Sequence, residues 1–191
     1  HGRLFWFDQT DAFDDWTAPP PTIGDHGYVT TAGVFSDGAI DKGSAFLVSA
    51  LPDKLPKRIA DLGAGWGYLS DHALRRDGVE SIDLVEAEAL SLNCARENVT
   101  DPRATFHWED ATAFAASEPY DAVLMNPPFH VGRSADPSLG RAFIAAAARL
   151  LAPNGKLWMV ANRHLPYEPT LADAFRNVDT IAQSNAFKVF H

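Results

Sequence analysis

Asn126-Pro127-Pro128-Phe129 is the stretch of this chain with the most chemical content. An amine on an aromatic ring is a poor nucleophile, because its lone pair is spread into the ring. Two acceptors that hold both amine hydrogens fix the lone pair toward an electrophile. The Asn126 side-chain oxygen and the Pro127 carbonyl would supply that pair. Successive prolines stiffen the turn and remove competing N–H donors. Phe129 offers a flat face for stacking an extruded base. A plain strand-to-turn Pro-Pro is the rival reading, and the segment upstream argues against it.

That upstream segment is Asp61-Leu62-Gly63-Ala64-Gly65-Trp66-Gly67. Glycines between a strand and a helix allow a sharp turn and let a ligand touch backbone. A dinucleotide fingerprint would need its third glycine at position 68, which is Tyr68. The pattern D-x-G-x-G-x-G instead fits a loop for S-adenosylmethionine. Glu86 ends the next apolar run, where a carboxylate can accept from both hydroxyls of a ribose. Asp110, with the Ala111 backbone, either sets an adenine ring or caps the following segment. Trp66 either lines the donor pocket or covers the helix start.

The chemistry that follows is transfer of a sulfonium methyl group to a base amino nitrogen. Asn126, Pro127 and Phe129 are the expected catalytic set. Asp61, Gly63, Ala64, Gly65, Gly67, Glu86, Asp110 and Ala111 are expected to hold the donor, with Asn126 bordering it. Pro128, Phe129, His130 and Arg163 are expected to meet the substrate, Arg163 with plain surface exposure as its rival. The histidines are scattered and none forms a two-His helical pair, so no metal site is expected.

Positioning these residues requires strand tips. Apolar periodicity predicts strands over 58–62, 81–86, 105–110, 120–126 and 156–162, with helices over 68–76, 88–99, 139–151 and 170–176 between and after them. A short helix over 44–51, with Ser44 as its cap, comes first. A hairpin over 178–183 and 186–190 closes the chain. Strands alternating with helices imply a mainly parallel sheet covered on both faces. The apolar run at Phe143 to Ala148 is expected to pack on that sheet rather than on a ligand. Residues 1–26 read as a lead-in rich in Asp and Pro, and 27–191 as the domain. Residues 35–44 are either a lid or a fixed surface loop.

The chain has 191 residues and a net charge of −9, which argues against indiscriminate binding to polyphosphate. Arg133, Arg141, Arg149, Lys156 and Arg163 give 129–164 an excess of cations, a local basic surface or merely scattered charge. The single cysteine, Cys94, reads as a buried thiol in a reducing cytoplasm. No apolar run is long enough to span a bilayer.

In this order the motifs resemble class I S-adenosylmethionine-dependent methyltransferases, whose amino-group enzymes carry the N-P-P-F tetrad. Gly33-Val34-Phe35-Ser36, Asp41-Lys42-Gly43-Ser44, the run from Asn126 to His130, the run from Val160 to Tyr167, and Phe187-Lys188-Val189 are similar to the bacterial small-subunit ribosomal RNA guanine-N2 methyltransferases of the RsmC type. The resemblance implies a Rossmann-like α/β fold with a seven-stranded sheet and an antiparallel last strand. It also implies S-adenosylmethionine as cofactor, ribosomal RNA or the small subunit as partner, and a preceding degenerate copy of the fold. Methylation of protein glutamine or of adenine are the alternatives within enzymes. An RNA-binding assembly module that keeps the fold is the alternative outside them.

Overall fold

The computed structural model describes residues 6, 8, 10–13, 20–36, 39–128, 130–131, 134–135 and 137–191. A two-residue pair, β1 (Thr22–Ile23) and β2 (Val29–Thr30), precedes α1 (Lys42–Ala50). The alternating core follows: β3 (Arg58–Leu62), α2 (Tyr68–Leu74), β4 (Ser81–Glu86), α3 (Ala89–Asn98), β5 (Ala104–Trp108) and β6 (Tyr120–Met125). After β6 come the short pair β7 (His130–Val131) and β8 (Ser134–Ala135), then α4 (Pro137–Leu150), β9 (Leu151–Asn162), α5 (Glu168–Ala174), β10 (Thr180–Gln183) and β11 (Phe187–Phe190).

Seven strands form one sheet in the order β10-β11-β9-β6-β3-β4-β5. The strands from β5 to β9 pair in parallel, and β11 runs antiparallel to both β9 and β10. This is the expected sheet with its antiparallel last strand. The order reverses between β3 and β6, and such a reversal opens a crevice beyond the carboxyl ends of the strands.

Two cores sandwich the sheet, and strand alternation assigns residues to them. Ile59, Ile82, Leu84, Ala122, Leu124, Trp158 and Val160 face α1, α2 and α3. Ala60, Leu62, Val85, Val123, Met125, Leu157 and Met159 face α4 and α5. Phe143, Ile144, Ala146 and Ala147 pack into the second core, as the periodicity required.

Two local expectations need correction. Helix α1 is capped by Asp41, whose Oδ2 accepts from the Ser44 N–H at 2.7 Å, so Ser44 lies inside the helix. The non-apolar first turn hides this start from a periodicity reading. Strand β9 begins at Leu151 rather than 156, because Pro153-Asn154-Gly155 bulges out of an otherwise continuous ladder. Arg149 is exposed and donates to the Phe114 carbonyl at 2.8 Å, which ties down the segment after β5.

Helix α4 carries a glycine where its neighbour leaves no room. A Cβ at Gly140 would lie 2.0 Å from Tyr167 Oη and 2.4 Å from its Cζ, and Tyr167 is fully buried. Gly140→Ala should therefore lose about 1–3 kcal/mol of stability, despite the gain of about 1 kcal/mol that alanine brings to a helix interior. Urea denaturation reads the balance, and a stabilised variant would contradict this packing.

Candidate active site

The tips of β3, β4, β5 and β6 meet at a cavity of about 490 Å³, a size typical of cofactor sites. Gly63, Gly65, Glu86, Asp110, Ala111, Asn126, Pro127 and Pro128 line it, so the donor loop and the N-P-P segment share one space. Phe35, Ala87, Glu88, Ser91, Leu139 and Phe143 complete the wall; Phe35 had entered through a resemblance and the 35–44 loop, Phe143 was expected only to pack on the sheet and does both, and the other four carry no motif that singles them out. A smaller adjoining recess adds Asp41, Ser44, Ala64, Trp66 and Tyr68.

The glycine loop is pinned to β4: the N–H groups of Gly63 and Ala64 both donate to the Val85 carbonyl, at 2.9 and 3.2 Å. Gly65 has φ +56 and open space where a side chain would be. Its N–H donates to Glu86 Oε2 at 2.8 Å, while the Glu88 N–H donates to Oε1, also at 2.8 Å. Each carboxylate oxygen is thus oriented by one backbone donor and retains a lone pair for a ligand. Gly67 does not line the cavity. It precedes α2, and a Cβ there would lie 2.8 Å from Val99 Cγ2, so its role is to let α3 approach.

Asp61 lies beneath this loop with no solvent exposure. Its Oδ2 accepts from Ser70 Oγ at 2.6 Å, and its Oδ1 has no hydrogen-bond partner among the described residues. Burial pushes its carboxyl up to about 7, with the Glu86 charge adding to the shift and the Ser70 hydroxyl opposing it. Asp61 is thus held behind the loop and lines neither the cavity nor the recess, and its Oδ1 is an acceptor left over beside the site.

Asp110 caps the turn after β5, its Oδ1 accepting from the N–H and hydroxyl of Thr112, each at 2.8 Å, and the residue also lines the cavity. Trp66 likewise lines the recess and covers the loop, its indole donating to the Phe35 carbonyl at 3.0 Å. Arg163 is exposed and outside the cavity wall, its N–H donating to the Ala186 carbonyl at 2.8 Å. Phe129, Arg133 and the side chain of His130 lie outside the described residues. Cys94 is buried, which raises its thiol.

Asn126 follows β6, and its Nδ2 donates to Asp41 Oδ2 at 2.8 Å and to Ser44 Oγ at 2.9 Å. Both amide hydrogens are thereby used, which leaves Oδ1 as the atom available to the cavity. In the sequence Asp41 had entered through a resemblance and Ser44 also as a helix cap, and neither had been given a place in the site.

Residues 26–191 match the profile of the methyltransferase small domain. The chain belongs to that family. Its sheet is that of the class I methyltransferases. The ribosomal RNA small subunit methyltransferase C of Psychromonas ingrahamii is 39% identical over 82% of this chain and 45% of its own length. The ribosomal RNA large subunit methyltransferase G of Alcanivorax borkumensis is 33% identical over 83% of this chain and 42% of its own length. Among solved structures, the 16S rRNA guanine-N2 methyltransferase RsmC of T. thermophilus, in complex with AdoMet and guanosine, superposes with a TM-score of 0.72 and 29% identity over 85% of this chain and 46% of that one. The methyltransferase domain thus spans about half the length of the relatives it matches. Among the described residues no helix is long and apolar enough to cross a membrane.

Because burial lifts Asp61 from its unfolded value to about 7, the folded chain holds a proton that the unfolded chain releases. Stability therefore falls as pH rises from about 4 to about 7, and the deficit is complete above that window. Asp61→Asn should stabilise the free chain by on the order of 1–4 kcal/mol at about pH 8 and hardly at all at about pH 4. Thermal melts at the two pH values test this; equal shifts would contradict it.

Proposed function

We propose that this domain transfers a methyl group from S-adenosylmethionine to the exocyclic amine of a guanine in small-subunit ribosomal RNA. The supporting observation is one cavity bordered by Glu86 and the glycine loop on one side and by Asn126 and Pro127 on the other. The likeness to a guanine-N2 methyltransferase in complex with AdoMet and guanosine supports the same reading.

The residues fit such a donor. Glu86, with both oxygens pre-oriented by backbone N–H groups, accepts from the ribose hydroxyls. Asp61 Oδ1 is the acceptor for the amino group of the methionine part, and an ammonium there would keep the carboxyl ionised. Asp110 and the Ala111 backbone border the adenine. Bound in this way, S-adenosylmethionine supplies an electrophilic methyl group on a positively charged sulfur.

The acceptor side works by orientation. Asn126 Oδ1 and the Pro127 carbonyl take the two amine hydrogens and turn the lone pair toward the donor, while Pro128, Phe129 and His130 receive the base. Holding the reactants in line accounts for most of the rate gain. The alkylated nitrogen loses its extra proton to water. With a net charge of −9, the chain is poorly suited to grip RNA by itself; Arg163 and a preceding degenerate domain are the proposed sources of that contact. Ribosomal RNA as substrate implies action in the cytoplasm.

The decisive assay offers labelled methyl donor to small subunits, free ribosomal RNA and protein extract in parallel. N2-methylguanosine in small-subunit RNA is the expected product. Label in large-subunit RNA would favour the activity named for the second relative, and label in protein glutamine or adenosine would overturn the reading. Asn126→Ala should slow transfer roughly 10²–10³-fold, by analogy with losing one oriented polar group, and leave donor affinity intact by calorimetry. Glu86→Ala should weaken donor binding by about 1.5–3 kcal/mol; unchanged affinity would reject its ribose role.

A further inference from the structure

We infer that Asp41 and Ser44 are positioning residues that hold the Asn126 amide with its oxygen, and not its nitrogen, toward the substrate amine. The inference rests on the function proposed above. An asparagine amide has nearly the same shape at either end, and only its hydrogen bonds distinguish them. Oxygen-first, Asn126 accepts from an amine. Nitrogen-first, it would oppose the amine hydrogens and favour a ring carbonyl instead. The orientation therefore selects the group that can react.

What sets it lies behind the amide. Asp41 Oδ2 stands 2.8 Å from Asn126 Nδ2, and a carboxylate has no hydrogen to give. A flipped amide would set two oxygens against each other. Ser44 Oγ takes the other amide hydrogen at 2.9 Å. The same Asp41 oxygen accepts the Ser44 N–H at 2.7 Å, where it caps α1. The helix cap thus fixes the carboxylate, and the carboxylate fixes the amide. A charged partner on the NH2 end also polarises the amide and strengthens Oδ1 as an acceptor.

Gly43 gives independent support. A Cβ there would lie 3.0 Å from Asp41 Oδ2, 3.2 Å from Phe187 Cε1 and 3.5 Å from Asn126 Nδ2. A larger residue would press into the Asp41–Asn126 contact. The segment from Asp41 to Ser44 thereby gains a single explanation: it is the back wall that orients the methyl-transfer amide.

The test is a double-mutant cycle in single-turnover transfer to small ribosomal subunits, with S-adenosylmethionine affinity measured by calorimetry. Asp41→Ala should slow transfer about 10–100-fold with little change in donor affinity. Added to Asn126→Ala, it should cost almost nothing more, because Asp41 acts through Asn126. Asp41→Asn retains an acceptor oxygen at both contacts and should restore most of the rate. Additive losses, as a mere helix cap would give, overturn the inference. A second readout needs no RNA: proton exchange of the Asn126 side-chain NH2 by NMR. It should be slow in the wild-type chain and fast in Asp41→Ala. Fast exchange in the wild type sinks the inference; slow exchange without transfer to RNA sinks only the proposed substrate.

Discussion

The parallel pairing of β3 with β4 on one side and with β6 on the other is the constraint on which the site depends. Leu62 lies beside both Val85 and Met125, so the three strands finish at one level. The next residues of each strand then emerge side by side: the glycine loop after β3, Glu86 at the end of β4, and Asn126 after β6. Neighbouring strands stand about 4.8 Å apart, which sets the β4 and β6 tips about 10 Å apart. That span suits a nucleoside-sized donor on one side and a planar acceptor on the other. Because the chain order reverses here, no crossover helix fills the gap.

Polar groups near these tips are arranged by backbone and by caps rather than by long side chains. Glu86 is held by two N–H groups, Asp110 by the turn it caps, and Asn126 by the cap of α1. Such groups lose little freedom when a ligand arrives, which favours tight orientation over adjustment. The carboxylates that line the cavity, Glu86, Glu88 and Asp110, all stand at the tips of β4 and β5 or just after them. In the proposed reaction this places acidic groups near a cationic donor and leaves a neutral amide for the uncharged base. The acidic balance of the chain thus has a local use in that reaction, even though the proposed substrate is a polyanion.

Much of this was legible in the sequence, and the exceptions have physical causes. Strands β3 and β4 fall at the expected residues because buried parallel strands read as compact apolar runs between turns. The start of β9 was hidden by Pro153-Asn154-Gly155, a turn signal that here marks a bulge. The motif residues Gly63, Gly65, Glu86, Asp110 and Asn126 do share a cavity. The role of Gly67 could not be separated from theirs, since a glycine needed for a ligand and one needed for a neighbouring helix look alike in sequence. The burial of Asp61 and the grip of Asp41 on Asn126 depend on contacts between distant segments, which no local pattern encodes.

The central claim is that donor and amine meet in this cavity with Asn126 presenting its oxygen to the base. A crystal structure of the domain with S-adenosylmethionine and guanosine tests it most directly. The account predicts the guanine amino nitrogen within about 3 Å of both Asn126 Oδ1 and the Pro127 carbonyl, with the methyl carbon facing that nitrogen. Guanosine bound elsewhere, or an Asn126 amide turned nitrogen-first toward the base, would contradict it.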